Sequence, residues 1–201
     1  MKTYEIKKAS GSPDWSEIPY INIDVPYLET PKSITAKAQI CYNENELLVH
    51  LSTVEENIRA ESKGPLDAPC EDSCLEFFFS PMENDKRYFN IEFNMNKCIF
   101  LGFGSNVKNL IRLIPEEPTE EMFAPKVKKT DDGWEIFYRV PYTLIRRFFP
   151  DFEVYSGKKI RANCYKCADL SEPPHYLSWS PVSTENFTFH KPECFGEMVF
   201  E

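Results

Sequence analysis

The sequence predicts an all-β protein, an antiparallel β-sandwich carrying one short helix. Three observations lead there. Short stretches with a period of two recur along the chain, turn residues separate them, and a helical pattern occurs only around 142–149. The absence of βαβ alternation argues against a parallel sheet. Sandwiches of this size fold as one unit, so residues 1–201 read as a single domain. A hydrophobic content of 42%, with 16 Phe and 10 Tyr, is enough for a large packed core and excludes wholesale disorder.

Taken in order, residues 1–33 are rich in Pro and polar groups. Their apolar members (Trp15, Ile18, Tyr20, Ile21, Ile23, Val25) are spaced irregularly, which suits an extended lead-in with room for one edge strand. Residues 34–42 alternate, with Ile34, Ala36, Ala38, Ile40 and Tyr42 on one side. Asn43-Glu44-Asn45 turns the chain, and 46–53 returns as the second arm of a hairpin. Residues 54–69, broken by Gly64-Pro65 and Ala68-Pro69, form a long connection. Residues 97–103 give a short strand, and 104–125 an irregular segment whose Glu116, Glu117, Glu120 and Glu121 make an acidic loop. In 134–140, Trp134, Ile136, Tyr138 and Val140 share a face. Pro141 suits the first position of a helix that Pro150 stops. Residues 159–167 alternate again, with Arg161, Asn163 and Tyr165 opposite Ile160, Ala162 and Cys164. A long segment, 168–194, holds His175, Trp179, Phe187, Phe189 and His190, and 194–200 closes the chain as a strand.

The stretch Cys70–Asn94 (CEDSCLEFFFSPMENDKRYFNIEFN) carries the functional signal. Leu75, Phe77 and Phe79 share a face in its first strand, as do Phe89, Ile91 and Phe93 in its second. The turn-rich PMENDK joins them as a hairpin. Matching the apolar faces sets Glu76 opposite Asn90 or Glu92. The other side of the hairpin then carries Glu76, Tyr88, Asn90, Glu92 and Asn94. A strand face carrying this set of groups is unusual for solvation alone, which marks it as the candidate working surface. Glu76, Asn90, Glu92, Arg161, Asn163 and Tyr165 form the candidate ligand face. The plainer reading is a solvated sheet surface with cross-strand pairs such as Arg161 to a Glu.

A formal charge of −9 excludes the basic footprint of a duplex nucleic-acid binder and disfavours an anionic membrane surface. No apolar run is long enough to span a bilayer. The opening MKTYEIKKASGSPDW lacks an apolar leader core, which predicts a cytoplasmic chain, or an extracellular one if a leader was removed. Seven scattered Cys favour free thiols. Cys164-Tyr-Lys-Cys167, with Cys70-x-x-x-Cys74 as partner, has zinc-like spacing. A regular strand, however, sends the two thiols of C-x-x-C to opposite faces, so no metal site is expected there. A Glu76/Glu92 pair could divide acid and nucleophile roles in glycoside hydrolysis, but a bare sheet face excludes little water, so no catalytic residue is assigned. His50 reads as packed mid-strand, His190 as a loop anchor, and Trp15 and Trp134 as core.

Several pieces in this order resemble the family 9 carbohydrate-binding modules and their relatives of unassigned role. They are ITAKAQICYNENELLVHLST, EDSCLEFFFSP, RYFNIEFN, WEIFYRVPYTLI, GKKIRANCYKC and SWSP…FHKPECFGEMVF, and the resemblance runs from about Trp15 to the C-terminus. It implies a β-sandwich and a non-catalytic module that holds a mono- or oligosaccharide between two aromatic walls. In sugar-binding members a Trp stands six residues before the Glu of a D-S-x-x-E strand; here that place is Cys70, and the Glu is Glu76. Trp179 is the candidate for the other wall. Calcium, which some relatives bind, would fall to Asp67, Glu71 and Asp72; otherwise no cofactor is implied. Cys70 leaves a rival reading open, in which the sugar site has decayed and the sandwich serves as an interaction or structural protein.

Overall fold

Alternating sequences become paired strands throughout the chain. A computed structural model describes residues 1–115, 119–183, 185–186 and 188–201; Glu116, Glu117 and Phe187 lie outside the described residues. The strands are β1 (Thr3–Lys8), β2 (Ile21–Ile23), β3 (Val25–Pro26), β4 (Thr35–Tyr42), β5 (Glu46–Val54), β6 (Cys74–Ser80) and β7 (Tyr88–Asn94). They continue with β8 (Ile99–Gly104), β9 (Ile111–Arg112), β10 (Lys126–Lys129), β11 (Gly133–Pro141), β12 (Lys159–Ala168), β13 (His175–Ser178) and β14 (Gly196–Phe200). The path β10-β11-β5-β4-β1-β14-β12-β6-β7-β8-β9 is hydrogen-bonded neighbour to neighbour. It folds into two layers, because β1 pairs with β14 through residues 3–6 and with β4 through residues 7–8.

The core between the layers follows the period of two. From one layer come Leu75, Phe77, Phe79, Phe89, Ile91 and Phe93; from the other, Ala38, Ile40, Val49, Leu51, Trp134, Ile136 and Val140. Each fully buried large side chain contributes roughly 1.5–3 kcal/mol relative to exposure. The expected helix is α2 (Tyr142–Phe148), with Pro141 one place earlier than anticipated, as an extended N-cap that also ends β11. A further single turn, α1 (Thr119–Met122), takes up Glu120 and Glu121 of the anticipated acidic loop. No helix among the described residues is long and apolar enough to cross a membrane.

Several strands lack a clear local signal. β1 lies in the irregular lead-in, β9 in the irregular segment 104–125, β13 in the long segment 168–194, and β10 in a stretch to which the sequence assigns no element. β1 pairs in parallel with β14, remote in sequence, whereas β10 and β13 pair with their chain neighbours β11 and β12. Trp15, expected in the core, instead packs half-buried on an outer face, against His50 and Phe137.

Candidate functional site

Pairing of β12, β6, β7 and β8 turns the outer sheet face into cross-strand rows. One row reads Tyr165–Glu76–Glu92–Phe100, so the register question resolves to Glu76 opposite Glu92. The row beside it reads Asn163–Phe78–Asn90–Gly102–Arg112. On the other side, Cys167 stands opposite Cys74, which stands opposite Asn94.

This face is covered. The segment before β14 lies over it and brings Val182, Phe189 and Phe195 onto Phe78, Tyr88 and Tyr165 as a second apolar cluster. Tyr165 stacks on Phe189 at 4.2 Å, and its hydroxyl donates to the Phe189 carbonyl. Asn163 donates to the Ser180 carbonyl and accepts from the Ser180 N–H. Arg161 Nη2 donates to the Phe195 carbonyl at 2.6 Å. These three side chains, expected in the ligand grip, clasp the covering segment, whose backbone groups need partners once buried. His190 anchors the same segment through its Nδ1 contact with Tyr88 Oη at 2.8 Å.

Trp179 is a correction. Its ring is only 5% exposed and belongs to the inter-sheet core. It lies so close to Gly196 that a Cβ there would come within 2.6 Å of it. The Trp179 N–H bonds to the Cys164 carbonyl, and that pairing sets the side chain facing inward. It offers no face to a ligand.

Glu76, Asn90 and Glu92 remain together as expected. They are buried, with Asn90 Nδ2 donating to Glu92 Oε1 at 2.8 Å and the Cys167 thiol donating to Glu76 Oε1 at 2.8 Å. Glu76 Oε2 and Asn90 Oδ1 have no hydrogen-bond partner among the described residues. Around them stand half-buried Cys70, Phe100 and Asp169. The Tyr176 hydroxyl and the Cys70 thiol both donate to the Asp169 carboxylate. The Arg112 guanidinium lies 4.7 Å over the Phe100 ring.

Burial sets the charge state. It pushes the Glu76 carboxyl well above its ordinary range, with the facing Glu92 adding to the effect. Burial likewise raises Glu92 to about 7, against the Asn90 hydrogen bond, which favours its ionised form. The Cys70 thiol is raised by burial and then by Glu92 and Glu76. Burial therefore favours a protonated Glu76 beside polar oxygens that lack hydrogen-bond partners.

The structure does not gather Asp67, Glu71 and Asp72 into one oxygen cage. Asp72 accepts from the N–H groups of Glu61 and Ser62, from Asn94 Nδ2 and from Arg59; Asp67 accepts from those of Lys63 and Gly64. Sequence reasoning missed Phe100, Arg112, Asp169 and Tyr176. Phe100 was within reach: Leu101 and Phe103 face the core, so alternation puts Phe100 and Gly102 on the outer face.

The family model described as carbohydrate-binding family 9 matches residues 13–200. The chain belongs to carbohydrate-binding family 9. Solved structures agree with this family 9 assignment. A candidate carbohydrate-binding protein from Bacteroides uniformis is 29% identical, with a TM-score of 0.83 over 100% of this chain and 99% of that one. A family 9 module from Caldicellulosiruptor kristjanssonii, solved with cellotriose, is 13% identical, with a TM-score of 0.72 over 100% of this chain and 94% of that one. The family 9 module from the same organism solved with glucose gives 13% identity and a TM-score of 0.70, covering 100% and 96%. No curated protein matches the chain. Among family 9 folds, this one has Cys70 where the resemblance places an aromatic wall, and its Trp179 is turned into the core.

Proposed function

We propose that this family 9 chain binds a mono- or oligosaccharide, without turning it over, at the Glu76–Asn90–Glu92 end of the covered face. The observation that carries the reading is the pair of buried oxygens, Glu76 Oε2 and Asn90 Oδ1, that lack hydrogen-bond partners. A buried polar oxygen left unmet costs about 1–3 kcal/mol, and sugar hydroxyls, which both donate and accept, suit a protonated carboxyl and an amide oxygen alike. Phe100, next to Glu92 in the same row, supplies the only aromatic face of the rows that is not fully buried. Its ring is suited to the C–H side of a sugar. Membership of the family supports the same ligand class.

The test is titration calorimetry of the full chain with glucose and with cello-oligosaccharides. Saturable heat is expected, with affinity at least tenfold weaker in Asn90→Ala, the equivalent of about 1.4 kcal/mol. Phe100→Ala is expected to lose a smaller share. The rival reading, a decayed site serving as an interaction surface, is favoured by Cys70 at the aromatic place and by the burial of Trp179. A flat titration across the panel with well-folded protein, together with self-association in light scattering, would establish it instead.

A further inference from the structure

Residue by residue, C-x-x-C fails as a metal motif here, because Cys164 faces the core while Cys167 faces outward. The fold gives Cys167 a different partner. Antiparallel register sets it directly opposite Cys74, and Glu76, two residues along β6, shares their face. The Sγ atoms of Cys74 and Cys167 and a carboxylate oxygen of Glu76 all lie within 4.8 Å of one another. All three residues are buried, at 0%, 2% and 2% exposure. In addition, Glu76 Oε2 is a buried oxygen of this group without a hydrogen-bond partner.

We propose that Cys74, Cys167 and Glu76 form a zinc-binding site beside the proposed sugar site. Zinc accepts thiolates at about 2.3 Å and carboxylates at about 2.0–2.2 Å, so tetrahedral donors stand within 4 Å or so of one another. The present spread needs only a small contraction. Two thiolates disfavour calcium and magnesium, which require oxygen donors, and the carboxylate suits a borderline cation better than copper(I). Binding replaces the thiol and carboxyl protons, which are released to solvent. Two thiolates, one carboxylate and a divalent cation leave one net negative charge. The buried Lys166 ammonium, although paired with Glu55, is close enough to favour the ionised form of Glu76 and Cys74. Half-buried Cys70 lies on one side of the group, its carbonyl 3.8 Å from Cys167 Sγ. The donor set stands without the sugar reading. Only the consequence rests on that reading: metal binding would convert Glu76 from a neutral acid to a fixed carboxylate within the proposed sugar site.

The experiment is titration of reduced, full-length protein with cobalt(II), the spectroscopic substitute for zinc. The expected result is intense thiolate-to-cobalt charge-transfer absorption that saturates at a single equivalent and is bleached by zinc. The band should vanish in Cys74→Ser and in Cys167→Ser, and persist in Cys41→Ser and Cys98→Ser. Glu76→Gln should keep the band at weakened affinity. Should the Ser variants fail to fold, zinc protection of the wild-type thiols from alkylation, mapped by mass spectrometry, is expected at Cys74 and Cys167. Absence of the band, its survival in a folded Cys74→Ser/Cys167→Ser chain, protection mapped to other thiols, or a Cys74–Cys167 disulfide formed in place of binding each overturns the site. Asn90→Ala carries no metal donor, so loss of sugar binding in that variant with the cobalt band intact separates the two readings.

Discussion

Glu55→Ala is expected to cost about 3–5 kcal/mol of folding free energy, because it strands a buried cation. Lys166 is fully buried on the core side of β12. Its ammonium lies 3.3 Å from Glu55 Oε2, 2.8 Å from His175 Nε2 and 2.9 Å from the Cys167 carbonyl. His175 Nδ1 lies 2.9 Å from the Pro173 carbonyl, and its Nε2 also lies 3.4 Å from Glu55 Oε2. The other oxygen of Glu55 accepts from the Ser73 hydroxyl and from Trp134 Nε1. One carboxylate thus ties β5, β11, β12, β13 and the chain entering β6. The double variant Glu55→Leu/Lys166→Met removes both charges and is expected to recover most of the loss. Guanidinium unfolding of the three proteins measures this; a single-variant cost below about 1 kcal/mol would show the pair to be unimportant. Burial opposes ionisation of Glu55, yet His175, Lys166 and Ser73 together hold its carboxyl below the ordinary value. Its contribution is therefore present at neutral pH and disappears as the pH falls through that lowered value.

The second large effect has the opposite sign. Glu92 titrates near 7 in the folded chain against 4.5 for an ordinary Glu. Between those values the folded protein holds a proton that the unfolded chain has released. Stability therefore falls as pH rises through the window, by about 3 kcal/mol. Glu76 is raised as well and adds in the same direction, and the two protons belong to the pair. Glu92→Gln keeps the hydrogen-bonding shape and removes the charge. It is expected to make the profile between pH 5 and 8 shallower and to be more stable than wild type at pH 8 by up to about 3 kcal/mol. Unfolding curves recorded with a chelator present read this directly; an unchanged slope would place the titration elsewhere.

The central hairpin was legible because side-chain alternation is local. Which of Phe77 and Phe78 faces the core follows from a few residues, and the partner strand carries the same rhythm. The Glu76–Glu92 pairing needed only the register, which matching apolar faces narrowed to two choices. The cover over that face was not legible. Asn163 and Ser180, or Tyr165 and Phe189, meet through the path of a loop whose own sequence has no period. The same loop decides that Trp179 turns inward. Lys166 carries a local signal of its own: the alternation that puts Cys164 in the core puts Lys166 there too, and a core Lys requires a buried acid. The acid, Glu55, lies in a connection more than a hundred residues away.

The parallel contact of β1 with β14 has a mechanical meaning. Thr3 aligns with Glu197, and Ile6 with Phe200. Tension applied at Thr3 and Phe200 pulls the two strands along their common axis in opposite directions. Their cross-links are then loaded together, in shear, where an antiparallel hairpin pulled from its open end yields one rung at a time. Single-molecule stretching between these two points is expected to show a high rupture force followed by abrupt loss of both layers, since β1 also joins them. A low, gradual extension would mean that the seam peels. In the sheared geometry, the same seam that closes the sandwich would act as a tether against drag on anything the chain is holding.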